Sequence, residues 1–554
     1  MQRMGTGIGS IGDANSAALW WQTTVVYQVY PRSFQDTSGN GVGDLEGVRR
    51  RLPYLAETLG VGTLWLSPFY PSPMADFGYD VSDYTGVDPL FGTMADFDAL
   101  LADTHGLGLR LIIDWVPNHT SDQHPWFVAS RSSRGDPKRD WYVWRDPKPD
   151  GSEPNNWLSN FGGPAWVFDA PTGQYYLATF TPEQADLDWR TPGVQEAMFD
   201  GVRFWLDKGV DGIRIDVAHY IMKDPELRDE PPVPDSWQRT FKHQGEYDSL
   251  LHLYSKGHPD VHAVYRDLRR LLDSYQPERV AVGEIHEAEL DTWASYFGTD
   301  GDELHMPFNF ALLHAPLEAA VVGDHVRALE AALPEGAWPS QVLGNHDEER
   351  LATRVGAERT RVAAMLLLTL RGTPTLYAGD EIGLPQADIP PAEQLDPHGR
   401  NVPGAGRDGC RTPMQWDATP NAGFSPDGAG PWLAVTDDWR SRNVTSQLDD
   451  AGSLLNLYRR LLSLRRARPA LHRGAIEVLG DGDDGILRYR RWCDGDELTV
   501  ALNLTSTPLA QTVAAEGRVL LSTEAGRTPG DTGGTIELAP FEGVIVDPGG
   551  AHPS

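Results

Sequence analysis

Cysteine is nearly missing from this 554-residue chain. Only Cys410 and Cys493 occur, too few for a disulfide framework or a cysteine-only metal site. No stretch of about 18 uninterrupted apolar residues appears, so no membrane span or membrane partner is expected. Basic residues are scarce: 47 against 79 acids, a formal charge of −32. Such a surface repels phosphate backbones, so no nucleic-acid partner is expected, while a neutral polar ligand is unaffected. The opening MQRMGTGIGSIGDANSAALWW places glycine and small polar residues where a secretory leader has an apolar core. The expectation is a cytoplasmic protein, monomer or homodimer, with a loose tail over residues 1–18. At this length two or three domains are expected.

Three short runs carry most of what is present: GVDGIRIDVAH (209–219), VAVGEI (280–285) and VLGNHDEER (342–350). In each an apolar, strand-like stretch ends near a carboxylate, giving Asp216, Glu284 and Asp347. A buried strand that finishes in an acid leaves its charge at the rim of the sheet, where a parallel barrel places its chemistry. Apolar runs alternate with amphipathic stretches, predicting strands at 25–30, 62–67, 109–115, 211–216, 279–284, 304–308, 341–344 and 373–377. Glycines at 60, 106 and 209 suit helix C-caps. Eight alternations imply an α/β protein with a (β/α)₈ TIM barrel, formed by residues 19–118 and 190–465.

The stretch 119–189 is too long for a bare loop and predicts an inserted subdomain, with a hairpin in VFDAPTGQYYLATF turning at Pro171–Gly173. Leaving from the same rim as the acids, it is placed to wall one side of a cleft. A second long loop runs from Tyr377 past Pro390 and Pro391 to Trp416. From residue 466 successive short strands predict a C-terminal antiparallel β-sandwich, residues 466–554.

Arg214 lies two residues before Asp216 on the same strand face, where its guanidinium is expected to hold that carboxylate ionised and oriented. Glu284 closes an apolar strand, a setting that raises a carboxyl pKa toward general-acid duty. His119, ending DWVPNH, and His346, beside Asp347, are candidates for hydrogen bonds to sugar hydroxyls, since no compact zinc pattern such as HExxH surrounds them. In FGYDVSDY, Asp80 offers a hydroxyl-binding acid and Tyr84 an aromatic platform or a core ring.

These residues resemble, in order along the chain, the conserved regions of the alpha-amylase family of retaining glycoside hydrolases, in its alpha-glucosidase and oligo-1,6-glucosidase branch. The resemblance runs from Val25 onward through DWVPNHTS, GIRIDVAH, GEI and NHDEER. It implies Asp216 as nucleophile with Arg214 beside it, Glu284 as acid/base and Asp347 as transition-state stabiliser. It further implies His119, His346 and Asp80 as sugar ligands and Arg411, in GRDGCRTPMQW, as an arginine near the same subsite. The expected fold is a barrel, an inserted domain B and a terminal domain C. The expected chemistry proceeds through two inversions, with the acids about 5–5.5 Å apart.

In DTSGNGVGD, alternating oxygens from Asp36, Ser38, Asn40, the Val42 carbonyl and Asp44 are spaced to surround a hard cation. The run resembles the family's loop for Ca²⁺ or Mg²⁺, with Ser38 for Asn and Asn40 for Asp; a metal-free Asx-rich turn is the alternative. No cofactor is expected in catalysis. The function expected is exo-acting release of terminal α-glucose from short α-1,4-linked oligosaccharides such as maltose and maltotriose. Val217 resembles the residue of many α-1,6-acting relatives, whereas DVAHYIMKDPELRD resembles the maltose-acting ones. An oligo-1,6-glucosidase, a trehalose synthase and a sucrose-acting transglucosidase are the alternatives. A non-catalytic scaffold would combine a membrane span with eroded acids, and this chain has neither feature.

Overall fold

The computed structural model describes residues 19–236, 244–512, 517–532 and 534–549; the tail expected at 1–18 lies outside them. Eight parallel strands close into a barrel: β1 (Val26–Val29), β2 (Thr63–Leu66), β3 (Arg110–Trp115), β4 (Gly212–Ile215), β5 (Val280–Gly283), β6 (Met306–Asn309), β7 (Ser340–Val342) and β8 (Thr373–Tyr377), each paired with its neighbours in sequence and β8 with β1. Sequences such as TLWL, RLIIDW and VAVG are apolar without alternation because both faces are covered, one by the barrel interior and one by helices. Val26, Trp65, Ile112, Val282, Met306 and Phe308 pack together in one buried cluster. Outside it, every residue of the helix Thr360–Thr369 except Arg361 is buried.

Gly60 and Gly209 adopt left-handed C-cap conformations with φ of 88° and 110°. Gly106 instead ends its helix, and the positive φ falls on Gly108, at 74°. Pro53 closes the helix Leu45–Pro53, and the chain continues as a π-helical turn, Tyr54–Leu59, that the sequence periodicity does not show. Proline has no N–H to continue the ladder, which is where such a widened turn fits.

The excursion after β3 carries two small antiparallel sheets. His119–Ser121 pairs with Gln184–Asp186, and Trp144–Arg145, Gln174–Leu177 and Trp166–Asp169 form a three-stranded sheet. The expected hairpin is present, with Asp169 paired to Gln174 and Gly173 at φ 65°. The C-terminal boundary needs correction. Residue 466 lies inside the helix Leu454–Ala467, and the first terminal strand is Ala475–Leu479. A six-stranded antiparallel sheet and a two-stranded ribbon then share a core of Ile486, Ala501, Val519, Ile536, Leu538, Val544 and Val546. Among the described residues no helix is long and apolar enough to cross a membrane.

Candidate active site

Strand ends deliver the acids. The ladder continues past β4 and β5: Asp216 N donates to Trp115 O at 2.9 Å, Glu284 N to Ile215 O at 3.0 Å, and Ala218 N to Glu284 O at 3.0 Å. Backbone pairing thereby fixes where both carboxylates leave the sheet. Arg214 lies beneath them, 1% exposed. Its Nη1 donates to Asp216 Oδ1 and Asp114 Oδ1, both at 2.8 Å, and its Nη2 to Glu284 Oε2 at 2.5 Å. Two acids on the two ends of one guanidinium suit the retaining spacing of about 5–5.5 Å.

Donor count separates the pair. Glu284 receives Arg214, Val217 N at 3.0 Å and a contact of 3.0 Å between His286 Nε2 and its Oε1, while Asp216 takes the guanidinium alone. Burial lifts Asp216 well above the usual carboxylate range against the pull of Arg214. Burial also opposes ionisation of Glu284, yet Arg214 and His286 overcome it and hold the group at about 2. This inverts the expectation of an ionised Asp216 and a raised Glu284. The reason is that Arg214 reaches both acids and Glu284 collects the additional donors. The two repel one another and titrate as one unit, so the occupant of the pocket decides where their proton sits.

Asp347, beyond β7, receives Arg411 Nη2 at 2.7 Å and Arg407 Nη1 at 3.2 Å. Arg407 also donates to Asp76 Oδ1 at 2.5 Å and through Nε to Asp396 at 3.1 Å, so that Asp76, Arg407 and Asp347 form one bridge across the pocket. Burial pushes the Asp76 carboxyl up to about 6, with Arg407 opposing.

Asp216, Glu284, Asp347 and His119 line one pocket together with Asp76, Tyr79, Val217 and Arg407. His119 Nε2 contacts Tyr79 O at 3.2 Å and Gln184 Nε2 at 3.0 Å, and burial lowers its pKa to about 4. His346 stands behind this wall, its nitrogens contacting Gln28 Nε2 at 2.7 Å and Tyr79 Oη at 2.6 Å. Arg411 is fully buried and reaches the site through Asp347 and the His346 carbonyl.

Two expectations are corrected. Asp80 is turned away from the pocket and accepts Ser72 Oγ, Ala75 N and Asp76 N at 2.8–3.0 Å; Asp76 takes the place on the wall. Tyr84 is a core ring, donating to Val116 O and His119 O at 2.9 and 2.8 Å, and Tyr79 is the tyrosine that lines the pocket. The missed Arg407 lies four residues from Arg411 in the same motif. The excursion contributes Asn160, Phe161, Phe180 and Gln184 to the wall, and the loop after β8 contributes His398 and Arg407.

The expected cation loop satisfies its own donors. Asp36 accepts Gly39 N and Gly41 N at 2.8 and 2.9 Å, and Asn40 Oδ1 accepts Val42 N at 2.8 Å. Asp44 accepts Thr37 N at 2.9 Å and caps the helix Leu45–Pro53 through Gly47 N at 2.7 Å. Ser38 Oγ donates to Asp36 at 3.2 Å. Among the described residues no group of three or more His, Cys, Asp or Glu side chains is placed to hold a metal ion. As arranged, these oxygens accept hydrogen bonds from the loop's own donors, and no step below passes through a metal.

A family model described as the alpha amylase catalytic domain matches residues 28–474. The chain belongs to the alpha-amylase family. A second model, Domain of unknown function (DUF3459), matches residues 473–545 and so meets the barrel at the boundary seen in the structure. The chain is 46% identical over 473 residues to a probable alpha-glucosidase of Rhizobium meliloti, covering 83% of this chain and 85% of that protein. It is 37% identical to an oligo-1,6-glucosidase of Halalkalibacterium halodurans, covering 91% and 94%. Among solved structures it resembles an alpha-glucosyl transfer enzyme, XgtA, at TM-score 0.90 and 42% identity, covering 96% and 99%. It also resembles the trehalulose synthase MutB of Pseudomonas mesoacidophila, at TM-score 0.88 and 34% identity, covering 96% and 100%. MutB has been solved with sucrose and with isomaltulose. This alpha-amylase family member is thus a glycoside hydrolase of the retaining glucosidase and transglucosidase class, acting on alpha-glucosides.

Proposed function

We propose that this enzyme takes the terminal α-glucosyl unit from a short α-glucoside, such as sucrose or maltose, and passes it to a sugar hydroxyl or to water, with retention of configuration. The observation that carries this reading is the joint hold of Arg214 on Asp216 and Glu284 in a pocket spanned by the Asp76–Arg407–Asp347 bridge. Walls from the excursion, with Phe161 and Phe180, and from the loop after β8, with His398 and Arg407, enclose this pocket, which supports action on a terminal sugar rather than on a threaded chain.

Asp216 is the nucleophile and Glu284 the acid/base. The two acids hold one proton between them; with the glucoside in the pocket it passes to Glu284, which delivers it to the glycosidic oxygen as the bond to the anomeric carbon breaks, and the carboxylate left on Asp216 forms the new bond to that carbon. In the second half an acceptor hydroxyl loses its proton to Glu284 and displaces Asp216. Asp347, fixed by two guanidiniums, binds the sugar most strongly in its distorted, oxocarbenium-like form.

Transfer is favoured over the maltose hydrolysis expected from sequence. Phe161, Phe180 and Tyr220 line the pocket, and aromatic faces there both stack on an acceptor sugar and displace water from the intermediate. The likeness to XgtA and MutB points the same way. Linkage remains with Val217, which lines the pocket; a contact of that size changes selectivity by about 1–3 kcal/mol.

The test is time-resolved proton NMR of the products from sucrose, maltose and isomaltose at low and high sugar concentration. The expected result is α-configured product from the first turnover and isomeric or longer glucosides at high concentration. Initial β-glucose would defeat retention, and free glucose alone at every concentration would defeat transfer.

A further inference from the structure

His286 follows Glu284 by two residues and lines the same pocket. Its side chain is 26% exposed, and its ring lies nearly parallel to Phe310 with centroids 4.4 Å apart. Its Nε2 is 3.0 Å from Glu284 Oε1. The other carboxylate oxygen, Oε2, already receives a guanidinium N–H from Arg214 and the peptide N–H of Val217. An oxygen facing two such donors is a poor seat for a proton, because the added hydrogen would point at hydrogens and lose both bonds. A proton carried by Glu284 therefore sits on Oε1, the oxygen turned toward His286. An imidazole nitrogen serves either state, donating to the carboxylate or accepting from the acid.

The surroundings of this pair are charged on several sides. Asp216, Asp347, Glu348 and Lys256 line the pocket with it. Arg214 lies behind Glu284, and the His219 ring is 6.0 Å from that of His286.

We propose, building on Glu284 as the acid/base, that His286 is a positioning residue that shares the acid's proton, the transferable hydrogen lying between Glu284 Oε1 and His286 Nε2. In the first half-reaction the pair loses one proton to the glycosidic oxygen. The bond from that oxygen to the anomeric carbon breaks with its electrons going to oxygen, and Asp216 forms the new bond to carbon. In the second half the acceptor hydroxyl gives its proton to the pair as its oxygen bonds to carbon, and the electrons of the glucosyl–Asp216 bond return to the carboxylate. The pair is restored after each turnover. The competing view is that the ring only packs on Phe310.

Two variants separate these views. His286→Gln keeps an N–H donor without the imidazole, and His286→Phe keeps a ring against Phe310 without nitrogen. Both are measured as kcat/KM against pH with sucrose or maltose and with 4-nitrophenyl α-glucoside, whose leaving group needs little acid. In His286→Phe the disaccharide should lose on the order of 10²-fold, the scale of general-acid assistance, and the aryl glucoside far less. In both variants the basic limb should move to higher pH by about one unit, since the imidazole that draws the Glu284 carboxyl down is gone. Unmoved limbs, with equal losses on both substrates, would overturn the proposal. If His286→Phe fails to fold by circular dichroism, the limb of His286→Gln decides alone. Glu284→Gln is the control: full disaccharide activity in it would remove the acid/base reading itself, whereas its loss beside unaltered His286 variants would remove only the role of His286.

Discussion

Asp76 and Asp80 stand four residues apart in ADFGYD and take opposite directions, because Phe77 and Gly78 turn the chain at φ of 49° and 113°. Nothing in the spacing of two acids in a loop shows which one faces the pocket; the turn decides it. Asp216 and Glu284 were legible for the converse reason, since each directly follows an apolar run whose pairing fixes its exit. Asp76→Asn should lower kcat/KM for a disaccharide at pH 7 by about 10-fold or more through loss of a pocket charge. Asp80→Asn should cost about 1–3 kcal/mol of stability in denaturant unfolding by leaving buried donors without a carboxylate, with KM nearly unchanged. The sign of the pH effect follows from the raised Asp76 carboxyl. Held up to about 6 by burial, the group gains a proton below that pH and loses its charge toward Arg407. The parent enzyme should therefore show an acid limb in kcat/KM near pH 6 that Asp76→Asn lacks. An unaltered limb in the variant would assign it elsewhere.

At the level of elements, period and composition were enough for the barrel. Six of the eight expected strands bracket the observed ones; β6 begins at Met306 rather than 304 and runs on to Asn309, and β7 at Ser340 rather than 341. The domain boundary was less legible because LLNLYRRLLSLRRA is followed, after Arg468 alone, by a short helix, Pro469–His472, before strand sequence begins. A compositional shift cannot place that junction, since the helix and the strands after it are both rich in Leu and Arg. The loop 36–44 poses a choice that oxygen spacing alone leaves open. Asp44 is the N-cap of Leu45–Pro53, so Asp44→Ala should cost about 0.5–2 kcal/mol. As the loop meets its own donors, the melting temperature should be the same in calcium and in EDTA. A calcium-dependent rise that Asp36→Asn abolishes would reinstate the cation.

Across the whole molecule, barrel and terminal domain are joined by buried arginines. Arg465 donates to the carbonyls of Leu368, Gly372 and Leu471, and Arg491 to those of Thr369, Gly474 and Ala475, at the carbonyl end of the helix Thr360–Thr369. Two cations there sit against the negative end of a helix dipole. The chain as a whole carries the opposite excess: 47 basic residues against 79 acids leave −32. Like charges at that density repel in the compact state and relax on unfolding, so the fold is under electrostatic tension that salt relieves. Raising salt from 0.1 to 1 M shortens the screening length from about 10 to about 3 Å. It weakens long-range repulsion while leaving the buried contacts of Arg214 and Arg407 nearly intact. The melting temperature should rise over that range. A neutral disaccharide is not steered by the field, so its kcat/KM should change by less than about 2-fold, in contrast to the steep salt dependence of electrostatically steered ligands. Calorimetry and initial rates on the same salt series check both halves. A melting temperature that falls with salt would mean that exposed ion pairs, rather than net repulsion, dominate the surface energetics of this fold.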